Sequence, residues 1–214
     1  MTMKDDIKAQ LIANLEELVD PFMISRDFKR ARRSLVYKRS IGDTKQQIDV
    51  NLEMHPRDRP DSVAALYPFM EVRIPEVDKI LKDMVGDDRG LLEGITGGTS
   101  KQPIGFTSGK AHPGRWFIFQ ADSVPGAVED MQGFLKKWAM PLLDNYATPE
   151  DILTEDEKEN PRVNHDRAQV LRVVASAIAC ERSSYARNRM DKAFSGAGAR
   201  RRYQKVFDYI EKFA

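Results

Sequence analysis

Cysteine, histidine and long apolar runs are all scarce in this chain of 214 residues, and each shortage removes a class of function. The single cysteine, Cys180, excludes an internal disulfide framework and agrees with a reducing compartment. Three histidines, His55, His112 and His165, share no helical turn, and no Cys or carboxylate recurs beside them at ligand spacing, so neither a metal nor a cofactor is expected. No apolar stretch approaches the ~20 residues that cross a bilayer, which leaves no membrane partner. The opening Met-Thr-Met-Lys-Asp-Asp enters an amphipathic pattern directly, without the apolar core of a signal peptide, and cytoplasm is the expected location. An excess of one charge is lacking too: 34 basic against 33 acidic residues give a net charge of +1, too balanced for a surface built wholly to embrace nucleic acid.

The residues that are present describe an α+β fold. From Gln46 to Met54, Ile48, Val50, Leu52 and Met54 alternate with Gln47, Asp49, Asn51 and Glu53, the period of a strand packed on one face and wet on the other. Ser34–Ser40 reads as its hairpin partner, with Gly42-Asp43 as the turn. Leu66–Ile74 reads as a third strand with an edge or bulge at Pro68. Arg115–Gln120, centred on Trp116-Phe117-Ile118-Phe119, has the aromatic density of a central strand. The expected sheet is four-stranded and mostly antiparallel.

Helices are expected to pack it. Thr2 and Asp5 form a capping box ahead of the stripe Ile7, Leu11, Leu15, Leu18 and Phe22, with Pro21 ending that helix near Asp20. Pro75 starts a second helix that Gly86 stops. Ser123 caps a third, whose stripe of Val124, Val128, Met131, Leu135, Trp138 and Leu142 is kinked or ended by Pro141. Thr148-Pro149-Glu150 begins one short turn. Glu150–Glu159 then holds six acids and one lysine, and Arg162–Lys205 eleven Lys/Arg against three Asp/Glu. This basic module reads as a helix over Asn164–Ala193 and a final helix bearing Tyr203, Phe207, Ile210 and Phe213, a C-terminal helical hairpin. Residues 1–154 and 162–214 are the two expected units.

Phe28-Lys-Arg leading into Leu35-Val-Tyr-Lys-Arg, Gln47-Ile-Asp-Val, Arg115-Trp-Phe, and Met140-Pro-Leu-Leu-Asp with Thr148-Pro-Glu-Asp occur in an order that resembles a family of small bacterial proteins known only as domains of unknown function. The resemblance spans about Leu11 to Leu153; the Gly90–Gly114 insert departs from it. It implies a small partner of a larger protein, of the kind that includes immunity proteins neutralising bacterial toxins.

Candidate chemistry is thin. Gly90–Gly114 holds seven of the thirteen glycines, but Gly105-Phe-Thr-Ser-Gly109-Lys110-Ala111 is one residue short of a phosphate-binding loop and lacks its magnesium-holding hydroxyl. It reads as a partner-binding loop. Cys180 sits among Ala and Val as a small buried thiol would. The expected contacts with a cognate protein, a toxin in the immunity-type reading, are Lys110, His112 and Arg115 of that loop together with the basic link Arg26, Lys29, Arg30, Arg32 and Arg33. Two other readings compete. One is nucleic-acid binding through Arg187, Arg189, Lys192, Arg200, Arg201, Arg202 and Lys205, whose bland counterpart is pairing with the acidic hinge. The other is an enzyme acting on a phosphorylated small molecule through the glycine loop.

Overall fold

Alternating apolar and polar residues build two antiparallel sheets rather than one. The computed structural model describes residues 2–88, 91, 100–109, 114–158 and 166–213. Strands β1 (Lys29–Arg30), β2 (Val36–Ile41), β3 (Thr44–Asp49), β6 (Phe69–Arg73) and β7 (Ser100–Pro103) form a five-stranded sheet in the order β1-β2-β3-β6-β7. Strands β4 (Leu52–Met54), β5 (Ala64–Leu66) and β8 (Trp116–Ile118) form a three-stranded sheet in the order β4-β5-β8. Every pairing is antiparallel.

The four-stranded expectation is corrected at four points. Gln46–Met54 is not one strand: it leaves the large sheet after Asp49 and enters the small one at Leu52, so its alternating pattern serves two sheets in turn. Leu66–Ile74 is likewise divided by Pro68, which has no N–H to give a ladder. Within the glycine-rich segment, Ser100–Pro103 pairs with β6 and buries Ser100 and Gln102, a polar strand with no apolar period to announce it. Trp116–Ile118 is an edge strand, not a central one.

Helix α1 starts at the expected capping box, with the Asp5 amide donating to Thr2 Oγ1 at 3.2 Å and the Thr2 amide donating to the Asp5 carboxylate at 3.0 Å. It does not stop at Asp20. Met3–Asn14 is followed by a π turn, Leu15–Val19, and by Asp20–Ile24, so Pro21 lies inside a continuing helix. The Asp20 amide reaches back five residues to Leu15, and the widened turn accommodates a ring that would clash in a regular α-helix. Helix α3 repeats the device: Val124–Phe134, a π turn Leu135–Ala139, then Met140–Leu143 with Pro141 in its first turn. Ser123 does not cap α3 with its side chain; its hydroxyl accepts from the amides of Phe119 and Gln120 instead. The two helices pack on each other, and Gln132 of α3 donates to the Leu18 carbonyl of the α1 π turn.

Helix α2 (Pro75–Val85) ends at Gly86, whose φ of +57° suits glycine. Helix α4 (Pro149–Glu157), nine residues rather than one turn, starts at a capping box of Thr148 and Asp151. The expected helix over Asn164–Ala193 is broken: α5 (Arg167–Ala179) and α6 (Ser183–Ala193) are separated by Glu181 at φ +57°, a backbone state that a helix cannot contain. Residues 159–165, where its start was expected, are outside the described ones. Helices α7 (Ala197–Arg202) and α8 (Gln204–Ile210) follow.

Helix α5 is buried from Ala168 to Ile178 and packs against α2, α4 and α6, while α8 reaches both α2 and α6. Its Val170, Val173, Val174 and Ala177 join Ile48, Val72, Leu81 and Leu135 in one continuous apolar cluster.

Candidate functional site

Strand alternation sorts the side chains of the large sheet onto two faces of opposite character. The inner face carries Tyr37 and Arg39 of β2, Thr44, Gln46 and Ile48 of β3, Met70 and Val72 of β6, and Ser100 and Gln102 of β7, all buried. Helices α1 and α3 supply partners for its polar members. Arg30 is turned inward, with only 3% of its side chain exposed, and binds both Asp20 oxygens at 3.0 and 2.8 Å, while the Tyr37 hydroxyl donates to Asp20 at 2.6 Å. Burial works against ionisation at Asp20, but the Arg30 and Tyr37 hydrogen bonds and the Arg30 charge outweigh it and hold that carboxyl below its usual range. Arg39 donates to Gln46 at 2.7 Å and to Asp144 at 2.8 Å, and its guanidinium lies 4.6 Å from the Phe28 ring centre. Arg26 shares Asp144, also at 2.8 Å.

The outer face presents cations to solvent. Lys29, Lys38, Gln47, Glu71 and Lys101 form one row across the five strands, and Ser40, Lys45 and Arg73 form the next. Lys29, Lys38, Lys45, Arg73 and Lys101 are exposed. Lys29, Lys38 and Lys45 make no ion pair among the described residues. Two acids interrupt the cations. Glu71, only 8% exposed, accepts from Arg73 at 2.5 Å. Asp49 is pushed above its usual carboxylate range by burial and by Glu71, with Lys101 opposing the shift. Lys38, Ser40, Lys45, Gln47, Glu71 and Arg73 line a shallow hollow of about 420 Å³.

Arg115 borders this face through aromatic rings. Its guanidinium lies 4.7 Å from the Tyr67 ring centre, and Tyr67 meets Phe69 of β6 edge to face at 4.8 Å. Arg115 is held by Glu53 at 2.5 Å and by Asp58.

The residues expected to bind a partner are therefore divided. Lys29 joins the outer face and Arg115 adjoins it, Arg30 faces inward, Arg26 is tied to Asp144, and Arg32 and Arg33 are exposed in the turn between β1 and β2. Lys110 and His112 lie outside the described residues. Sequence reasoning missed Lys38, Lys45, Arg73 and Lys101. Their signal was the polar half of each strand's alternation, but it became a patch only through cross-strand register.

On the C-terminal helices several basic residues are spent on acids, while Arg201 and Lys205 are exposed and make no ion pair among the described residues. Arg189 grips Asp156 through three hydrogen bonds of 2.9 to 3.2 Å, and Tyr185 donates to the same carboxylate at 2.8 Å. Arg182 pairs with Glu150 and Glu157, Arg187 with Asp191 and Glu211, and Arg200 with Asp191. Cys180 is half-buried, and burial together with Glu150 pushes its thiol up to about 12, so it carries no thiolate near neutrality. Among the described residues no group of three His, Cys, Asp or Glu side chains could hold a metal, and no helix is long and apolar enough to cross a membrane. Comparisons of the chain with family models, curated proteins and solved structures return no match.

Proposed function

We propose that this protein is a binding module rather than an enzyme, and that it docks a cognate protein on the outer face of its five-stranded sheet. The observation that carries the reading is the set of exposed cations on one face of the sheet, Lys29, Lys38 and Lys101 in one row and Lys45 and Arg73 in the next. Charge of one sign on an open face steers an acidic partner and fixes its register. Tyr67 and Phe69, rigid and half-buried beside Arg115, add the aromatic and Arg character of interface centres. The finer reading, an immunity-type protein, cytoplasmic in location, that neutralises a toxin by covering the toxin's working surface, rests on the sequence resemblance alone, which no family model carries.

The test is capture from host lysate by the tagged protein and by K38E/K45E, with nuclease treatment and at two salt concentrations. One stoichiometric protein that survives nuclease, and that the variant fails to hold, is the expected result. Equal capture by the variant removes the sheet face from the interface. Recovery of nuclease-sensitive material alone removes the protein partner.

A further inference from the structure

The outer face contains an arrangement that a sheet selected only for stability would avoid. Lys29 is directly opposite Lys38, and Lys45 is directly opposite Arg73. Cross-strand neighbours have Cβ atoms about 4.5–5.5 Å apart, and like charges at that position destabilise the sheet. Arg73 is relieved by Glu71, but Lys29, Lys38 and Lys45 find no carboxylate within ion-pair distance among the described residues. The midpoints of the two pairs are offset by about two strand spacings, roughly 10 Å, across the sheet and by two residues, roughly 7 Å, along it, which sets them about 12 Å apart.

We infer that each like-charge pair is a notch for one partner carboxylate, and that the ligand of this face is an acidic protein surface presenting two carboxylates about 12 Å apart. The inference rests on the docking face proposed above and names its chemistry. A carboxylate seated between Lys29 and Lys38 turns their repulsion into two attractions, so the strain carried by the free protein is relieved on binding. Discrete carboxylates suit the face better than a phosphate chain. Glu71 flanks the second notch on β6 and Asp49 lies one row beyond Gln47 on β3, so a continuous strand with a charge every ~3.4 Å running along either β-strand would meet an acid.

Two measurements on the intact protein test this. The first needs no partner: thermal unfolding of the wild type, K38Q and K38E at low and moderate salt. Removing the repulsion is expected to raise Tm in K38Q and, with a new Lys29 pair, to raise it further in K38E, by about 1–3 °C at low salt for a chain of this size. The gain should shrink as salt screens the charges. An unchanged or lowered Tm in both variants overturns the inference, even if a protein partner has been captured.

The second measurement is fluorescence anisotropy with a labelled oligoglutamate peptide and a labelled oligothymidylate of equal charge. Binding of the peptide by the wild type, weakened about threefold to tenfold in K38E, is the expected result. Tighter binding of the oligothymidylate, or equal peptide binding by K38E, overturns the assignment.

Discussion

Basic side chains on the outer face of the large sheet and on the C-terminal helices differ in how many of them meet an acid. On α5 to α8 and the segments between them, Arg182, Arg187, Arg189 and Arg200 each meet at least one carboxylate. On the outer sheet face Lys29 and Lys38 meet each other. The helices carry the denser run of positive charge in sequence, yet much of it is neutralised by neighbouring acids, with Arg201 and Lys205 left exposed. Density along the chain is therefore a poor guide to an electrostatic site, because pairing is decided in three dimensions.

The comparison extends to the sheet's own two faces, where the largest effect is expected. Asp20→Ala leaves the inward Arg30 guanidinium without its carboxylate and the Tyr37 hydroxyl without its acceptor, and should cost about 3 kcal/mol in urea unfolding. The same carboxylate gives an acid limit. Its folded pKa is depressed, so its contribution is full above the unfolded value of about 4 and is lost as pH falls through the folded one. In Asp20→Asn that part of the acid-induced loss should vanish from a pH series of unfolding curves.

Next in size is Asp156→Ala, which unpairs Arg189 and Tyr185 where Asp156 is only 6% exposed, and should cost about 1–3 kcal/mol by chemical denaturation. Cutting the exposed Arg187 and Arg200 pairs by alanine substitution should change stability by less than about 0.5 kcal/mol. A large loss in those two variants would show the helical charges to be structural rather than incidental. If instead the contrast between the regions is sound, the R187A/R200A protein keeps the wild type's partner affinity in a titration by calorimetry, while K38E/K45E loses it.

Much of the fold was legible because local signals and tertiary structure agreed. The Thr2–Asp5 box and Thr148-Pro149 both start helices, Gly86 ends one, and the stripe from Val124 to Leu135 is buried. The failures lie where the deciding interaction is distant. Pro21 read as a helix end, and Pro141 as a kink or an end, because sequence shows the missing N–H but not the π turn ahead of it. Ser100–Pro103 has no strand period, since its Ser100 and Gln102 are buried opposite Val72 and Met70. Glu181 breaks a helix with a residue that favours helices.

The candidate site was legible in part for a related reason. Lys29 and Arg30 are adjacent in one basic link, and the two-residue strand they form sends one out to solvent and the other under a helix. A run of eight residues with five cations, Arg26 to Arg33, cannot announce that split. Lys38, Lys45, Arg73 and Lys101 come from four strands, and only the ladder puts them side by side.

The paired π turns have a consequence for how the two helices are phased. Each α-helical residue advances the chain by about 100°, so one extra residue in a turn rotates everything after it by that angle. Asp20 and Asp144, the acids that receive Arg30 and Arg39, both follow a π turn on their helix. The turns thus act as angular spacers: upstream of them the stripes of Ile7, Leu11 and of Val124, Val128 face the core, and downstream the acids come round to the sheet. Deleting a single residue from Leu15–Val19 would leave the upstream half seated and swing Asp20 about a quarter turn away from Arg30.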